Sequence, residues 1–454
     1  MNDYFKKEAL KKAFKEKIKN SRSKGIDKIS SDKFEEKIKE ELQLIQNKIH
    51  SESYSFSYYL EKLILKSRNK IPRMLSIPTI RDRIVLKQFK EYLGDKIPDS
   101  INRTRPQILI KGIIKEIAKN NHYDYFIRTD LKSFYDKINR KILYQKLEQK
   151  GLRGFPLELT KNAVENITVP KNFSSADVQK YKLEIGVPQG LAISNILAQV
   201  YMIDFDLSFN TKACFYIRYV DDILILCKKK DYTNIKDLLM KELDYLDLEL
   251  NLEKTKQAEL QEEFEFLGYK FQNKLVTIAD KNIQKRINLI AAKFTWFKNG
   301  WEDKYKRPAY LQKNDEYFQN RFLDELNNII SGLIINNQTR SFLDYFREIN
   351  DLPLLFRLDK IVDRFFNKTA PFHKKPSNVK SFVRTYYEVK YKAETNYIPN
   401  VDKIKEANVK RRLLIESGYI SENQKLNIEE LENEFSNYIN SQLRYNTKFT
   451  TGYY

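Results

Sequence analysis

The sequence predicts an α+β fold, with a small antiparallel sheet before residue 280 and helices after it, from three observations. YDYFIRTDL, beginning at Tyr123, alternates Phe126, Arg128 and Asp130 with Ile127, Thr129 and Leu131, the period of two that marks a strand. CFYIRYVDDILILC at 214–227 sets two apolar arms about an Asp-Asp tip, the form of a tight hairpin. Beyond residue 280 apolar side chains recur every three or four positions in three stripes. These run through Ile283, Ile287, Ile290, Phe294 and Phe297; through Phe322, Leu326, Ile329 and Leu333; and through Leu354, Leu358, Ile361, Val362 and Phe365.

The elements follow in order. After a basic, helix-prone start, Thr79 is placed to cap a helix through Ile84, Val85, Phe89 and Leu93, with Gly94 suited to ending it. The strand ends at Asp130, and Asn139 starts a short helix through Ile142, Leu143, Lys146 and Leu147 that Gly151 closes. GVPQG at 186–190 is a turn, followed by a helical face of Ile193, Ile196, Leu197, Val200, Ile203 and Leu207. The hairpin precedes a helix near 232–247 and a strand pair at 264–278. Residues 371–454 are basic and tyrosine-rich, with one helix around Leu431, Phe435, Tyr438 and Ile439.

Composition narrows the function. A 41% hydrophobic share in 454 residues supplies a core and excludes general disorder. With 82 Lys plus Arg against 61 Asp plus Glu, the formal charge of +21 points to a polyanion, and nucleic acid is the default. Cys214, Cys227, His50, His122 and His373 lie too far apart along the chain for a zinc cluster or a disulfide framework. No segment approaches the roughly 18 apolar residues of a membrane span, so a cytoplasmic protein is expected.

Three carboxylates carry the chemistry: Asp130 at a strand end, and Asp221 and Asp222 at the hairpin tip. An adjacent Asp pair by itself is more often a solvated turn. Held between YV and ILIL, however, two like charges against a sheet call for a neutralising cation. Hard oxygen ligands without His or Cys point to Mg²⁺ or Mn²⁺. Two such ions, ~3.5–4 Å apart, activate a 3′-hydroxyl and stabilise leaving pyrophosphate in an in-line displacement.

These residues sit in ordered blocks: GID at 25–27, RMLSIPTIRDRIVLKQ at 73–88, RTDLKSFYDKI at 128–138, GVPQGLAISNILAQVYM at 186–202, RYVDDILIL at 218–226, LNLEKTK at 250–256 and FEFLGYKF at 264–271. In order and spacing the chain resembles bacterial retroelement-type reverse transcriptases, closest to the defence-associated, abortive-infection-like groups. The resemblance implies a right-hand polymerase: N-terminal extension and fingers at 1–115, a palm with an antiparallel sheet at 116–272, a helical thumb at 273–370 and a basic C-terminal extension at 371–454. It implies Asp130, Asp221, Asp222 and the Leu131 carbonyl as ligands of two Mg²⁺ ions, with Mn²⁺ as a substitute. Tyr135 would gate against a ribose 2′-hydroxyl, though core packing accounts for it equally well before the motif is considered. Arg83 first and Arg73 second would grip the triphosphate, a salt-bridge role being the alternative for either, and for Arg81. Gln189 and Gly190 would touch template and nucleotide, a structural turn being the alternative, and Lys254 would give a proton to pyrophosphate, a solvated lysine being the alternative. Phe266, Leu267 and Gly268 match a primer-grip hairpin, with core packing as the competing account of the two apolar side chains.

The block after Gln189 and Gly190 reads AISN where intron and retron enzymes have Ser-Pro, so Asn195 argues against those classes. With no recognisable RNase H, integrase or endonuclease block, the expectation is an RNA-directed DNA polymerase in anti-phage defence. The implied partners are an RNA template or non-coding RNA, dNTPs and a DNA product, with a second protein or a homo-oligomer left open. The rivals are a template- or primer-independent polymerase of abortive-infection type and a catalytically silent RNA-binding scaffold. Tail tyrosines Tyr445, Tyr453 and Tyr454 are more readily packing or surface residues than priming hydroxyls.

Overall fold

The computed structural model describes residues 1–447 apart from 22, 66–71, 102–103, 120–121, 211–212 and 393. Two compact units form, one from Met1–Thr104 with Asn121–Leu260, the other from Arg105–Asn120 with Gln261–Tyr453. The first contains β1 (Tyr59–Ile64), β2 (Arg73–Ile77), β3 (Tyr125–Asp130), β4 (Thr168–Val169), β5 (Cys214–Tyr219), β6 (Asp222–Cys227) and β7 (Lys256–Glu259). Its larger sheet runs β5-β6-β3-β7, antiparallel throughout; its smaller sheet runs β2-β1-β4, with β4 parallel to β1. Ile127, Ile223 and Ile225 pack into one core with the Ile80–Lys96 and Ser194–Ser208 helices, while Phe126, Leu224 and Leu226 on the opposite side are buried as well. Burial on both faces explains why the β6 sequence is almost continuously apolar rather than alternating.

The local signals act as the sequence predicts, with differences that have physical causes. Thr79 accepts a bond from the Asp82 N–H and caps its helix; Asn139 does the same for Lys141 and Ile142. The helix capped by Thr79 runs two residues past Gly94 to Lys96 and stops at Ile97, the residue before Pro98, where the backbone leaves the helical region at φ −128° and ψ 77°. Leu207, expected on the buried stripe, is 61% exposed at the helix end. Cys214 and Cys227, distant in sequence, are direct cross-strand neighbours at the base of the hairpin. Both are free thiols, and burial pushes that of Cys227 up to about 12, where it is inert.

Asp82, which carries no sequence signal of its own, is buried in the first turn of the Ile80–Lys96 helix. Its carboxylate accepts from Tyr54 Oη at 2.7 Å, Thr79 Oγ1 at 2.8 Å and the Ser57 N–H at 3.2 Å. Asp82→Ala strands the buried Tyr54 hydroxyl and the Ser57 amide, and is expected to cost about 2–4 kcal/mol in urea unfolding.

The second unit begins with the Pro106–Ala118 helix and continues with β8 (Phe264–Phe266), β9 (Tyr269–Gln272) and β10 (Leu275–Ile278), a three-stranded meander where a strand pair is expected. Helices Asp280–Glu302, Asp315–Ser331 and Leu352–Asn367 meet through Phe294, Phe297, Phe322 and Phe366, with the Phe297 and Phe322 rings 4.4 Å apart. The helical stripe does not reach Leu333. Gly332 takes φ 74° and lies so close to the Arg340 carbonyl that a Cβ would sit 2.3 Å from it. The chain turns there into the hairpin of β11 (Leu333–Ile335) and β12 (Gln338–Arg340). Phe382–Tyr391, Ala407–Glu416 and Ile428–Thr447 complete the unit, the last two around Leu414, Phe435, Tyr438 and Ile439. Tyr453 and Tyr454 lie outside the described residues. Among those described, no helix is long and apolar enough to cross a membrane.

Candidate active site on the four-stranded sheet

Strand register assembles the carboxylates. Asp130, the last residue of β3, lies directly opposite Asp222, the first of β6, and Asp221 occupies the two-residue turn before it. The Leu131 N–H donates to the Asp221 carbonyl at 3.0 Å, tying the end of β3 to the hairpin tip. On its other side Leu131 bridges Leu250, where Lys132 donates to Glu249 and Asn251 to the Asp130 carbonyl; the Leu131 carbonyl takes no part in that ladder. Hard oxygen donors therefore come from two adjacent strands and the turn between β5 and β6.

Cations sit on these carboxylates. Lys254 Nζ, delivered by the short helix before β7, is 2.7 Å from Asp130 Oδ2, and an Arg128 guanidinium nitrogen is 3.3 Å from Asp222 Oδ1. Arg128 also donates to the Lys254 carbonyl at 2.8 Å, linking the two. The side chain of Asp130 is 9% exposed and that of Lys254 41%, so the lysine reaches from solvent onto a largely covered acid.

A second lattice holds the tip from behind. Val220 has φ 60°, an unfavourable conformation for a β-branched residue at a turn position that usually takes glycine. Arg218, its side chain 4% exposed, donates to the Val220 carbonyl at 2.8 Å and to both oxygens of Asp206, at 2.7 and 2.5 Å, and to Gln199 Oε1 at 3.0 Å. Tyr216 Oη adds a bond to Asp206 at 2.6 Å. Asp206 and Gln199 both belong to the Ser194–Ser208 helix, which therefore anchors the turn bearing Asp221. No sequence reading singled out Arg218 or Asp206; the signal was a basic residue among the apolar side chains of β5.

The GVPQG turn packs against β2 and the segment after β3. The Ser76 N–H donates to the Gln189 carbonyl at 2.7 Å, and Gln189 Nε2 donates to Asp136 Oδ1 at 2.9 Å. Gly190, φ 105°, lies so close to Ser76 that a Cβ would come within 2.9 Å of its carbonyl oxygen. Tyr135 Oη donates to Asn195 Oδ1 at 2.5 Å. Burial pushes the Tyr135 phenol far up, and the nearby Asp221 charge adds to it while Arg73 and Arg218 oppose. Tyr135 is accordingly a proton-bearing hydroxyl within the electrostatic reach of Asp221 and Arg73.

The arginines divide. Arg73 opens β2 and shares the Tyr135 neighbourhood. Arg83, the preferred triphosphate ligand from sequence, instead donates to Ser21 Oγ at 3.0 Å and the Ser23 carbonyl at 2.6 Å, pinning the N-terminal segment. Arg81 forms a two-pronged pair with Glu41 at 2.6 and 2.9 Å, the salt-bridge alternative. Leu267 and Gly268 form the two-residue turn between β8 and β9, both with positive φ, and the Leu267 carbonyl accepts from Tyr345 Oη at 3.0 Å.

With this geometry in view, residues 64–271 match the family described as reverse transcriptase (RNA-dependent DNA polymerase). Residues 64–271 thus form a reverse transcriptase domain with the corresponding fold, and that domain indicates an RNA-directed DNA polymerase, a nucleotidyltransferase. Among curated proteins it is similar to Protein YkfC of Escherichia coli (strain K12), 22% identical over 303 residues that cover 56% of this chain and 77% of that one. Among solved structures it is similar to apo telomerase from Candida tropicalis truncated from its C-terminal domain, at 17% identity and a TM-score of 0.41. That match covers 49% of this chain, which spans 55% of the telomerase chain. Telomerase from Candida albicans, in complex with a TWJ fragment of telomeric RNA, matches at 13% identity and a TM-score of 0.42, covering 76% of this chain and 68% of that one.

Reverse transcriptases generally use divalent metal ions. Among the described residues no three His, Cys, Asp or Glu side chains are gathered closely enough to close on one ion as they stand. The donor set nevertheless fits: carboxylates on facing strand positions, oxygen only, each drawing a cation to it.

Proposed function

We propose that the chain joins deoxynucleotides on an RNA template at Asp130, Asp221 and Asp222, with fingers at 1–115, palm at 116–272, thumb at 273–370 and a C-terminal extension at 371–454. The observation that carries this reading is the β3–β6 register, which faces Asp130 with Asp222 and leaves Asp221 in the adjoining turn of a reverse transcriptase domain. The three carboxylates and the Leu131 carbonyl would hold Mg²⁺, or Mn²⁺ in its place, which when bound activates the primer hydroxyl and stabilises leaving pyrophosphate. Lys254, already on Asp130, supplies positive charge beside that acid and a proton for the leaving group when it swings away. Arg73 meets the triphosphate, its planar fork matching phosphate oxygens, and Gln189 with Gly190 lets template and nucleotide approach the backbone.

Tyr135, its hydroxyl fixed by Asn195, lies under the sugar and excludes a ribose 2′-hydroxyl by contact. Tyr135→Ala is expected to lower discrimination against ribonucleotides by about 10- to 100-fold, the scale of a removed steric contact, in competing dNTP and rNTP incorporation. Unchanged discrimination assigns Tyr135 to core packing.

Biologically, the reading is a host enzyme that copies or binds a non-coding RNA in anti-phage defence; it rests on the sequence blocks and Asn195. The test is labelled dNTP incorporation by purified protein with Mg²⁺, with and without RNA template and DNA primer. Template-dependent DNA synthesis supports the reading. Untemplated product favours the abortive-infection-type alternative, and no product under any condition favours an RNA-binding scaffold. Plaque counts on cells expressing the wild type and Asp221→Asn test the defence role.

A further inference from the structure

In the C-terminal part of the second unit, the Phe382–Tyr391 helix carries two large rings outward. Tyr387 is 45% and Tyr391 66% exposed, although large aromatic side chains are ordinarily buried. Four residues apart, they share one helix face, and their rings stack at 5.7 Å with 29° between planes. The ladder is held from below: Tyr386 is buried, donates to the Ile349 carbonyl at 2.5 Å and meets the Tyr387 ring edge-on at 5.9 Å. Lys390 Nζ donates to the same carbonyl at 3.1 Å and lies 5.8 Å over the Tyr391 ring.

The surroundings are basic. Tyr391, Lys390 and Lys392 line an open basin with Arg105 and Arg347, and its one acidic lining residue is Asp344. Arg384, one helical turn before Tyr387, has a side chain 64% exposed and rests its guanidinium 4.2 Å over the Tyr397 ring. The helix's own carboxylate, Glu388, is buried and bound to Thr395 Oγ1 at 2.7 Å and Lys392 Nζ at 2.9 Å, so it does not face a ligand with a bare charge.

We propose that Tyr387 and Tyr391 form a stacking platform for unpaired RNA, with the phosphates running over the Arg105, Arg347, Lys390 and Lys392 basin. Exposed rings spaced for stacking, rimmed by cations and without a sequence-reading pocket, are the chemistry of single-strand binding. A duplex would offer no free base faces to the rings. RNA is favoured over DNA because the strand that an RNA-directed polymerase holds unpaired is its template, whereas new DNA leaves paired to it. The proposal goes beyond the chemistry at Asp130, Asp221 and Asp222, and rests on the polymerase reading for its choice of RNA.

The test is fluorescence anisotropy of a labelled oligouridylate of about 12 nucleotides, a length within single-strand site sizes, with excess primer–template duplex present to fill the palm. Tyr387→Ala with Tyr391→Ala is expected to weaken binding at least tenfold, while Tyr387→Phe with Tyr391→Phe binds like the wild type because the ring, not the hydroxyl, stacks. Lys392→Ala is expected to reduce the salt slope by about one. Wild-type affinity in the double alanine variant overturns the proposal, as does tighter binding of oligothymidylate than of oligouridylate. Should the alanine variant fail to fold, photocross-linking of 4-thiouridine RNA to the wild type decides: adducts on Tyr387 or Tyr391 support the platform, and adducts only elsewhere overturn it. Asp221→Asn is expected to bind the oligonucleotide normally, so failure of the polymerase reading leaves this result legible.

Discussion

Asp221→Asn is expected to lower nucleotide incorporation at least about a thousandfold, ~4 kcal/mol of transition-state stabilisation, while the protein remains folded. The substitution keeps shape and hydrogen-bonding capacity but removes one of the negative charges that the facing register of Asp130 and Asp222 concentrates at the end of β3. Its effect on folding should be small and of favourable sign, because Asp221 adjoins Asp222 and like charges at a turn repel. Asp130→Asn is expected to be as severe and to carry a second signature. Lys254 Nζ, 2.7 Å from Asp130 Oδ2, loses its carboxylate partner and becomes freer to react with amine-directed reagents. Single-turnover incorporation with amine-labelling mass spectrometry reads both effects. Retained incorporation in Asp221→Asn would remove Asp221 from the carboxylate mechanism.

Arg218→Ala is expected to cost about 3–5 kcal/mol in urea unfolding, the scale of breaking one side of a buried ion pair. Asp206 keeps only its bonds from Tyr216 and Gln199, at 2.6 and 3.3 Å, and the Val220 carbonyl loses its guanidinium donor. The functional loss should exceed what unfolding explains. Val220 holds φ 60° with the help of that bond, and once released the turn relaxes and carries Asp221 away from Asp130. Replacing the pair together, Arg218→Met with Asp206→Leu, separates the two effects. Stability is expected to recover, as it does when a buried pair becomes apolar, while incorporation stays low. Recovery of both would make Arg218 structural only.

Arg218 also shows where sequence reading ends. Asp130, Asp221 and Asp222 were legible because their setting is local: an alternating strand ending in an acid, and two apolar arms around an Asp-Asp tip. The blocks around them named the enzyme class, and the reverse transcriptase match over 64–271 agrees with it. The caps at Thr79 and Asn139 were legible for the same reason, since a side-chain oxygen bonds amides two or three residues on. By contrast, the Arg83 fork matched a motif and suggested phosphate, yet its donors go to Ser21 and Ser23, about sixty positions back. The β11–β12 hairpin was hidden inside a helical stripe because Leu333 keeps the period past the residue that breaks it, Gly332.

From its sequence alone this protein's charge, the strand that ends at Asp130, the Asp-Asp hairpin, the helical stripes beyond residue 280 and its likeness to polymerases are determined, since each is written in composition, in a period of two or 3.6, or in an unbroken motif. Tertiary structure decided which cation sits on which acid: Lys254 on Asp130, Arg128 on Asp222, Arg218 on Asp206. It also brought Cys214 beside Cys227, Tyr135 to Asn195, and Tyr387 with Tyr391 into the open. Partners far apart in sequence are chosen by packing and register; a long side chain reaches whichever opposite charge the fold sets beside it, and no local pattern records that choice.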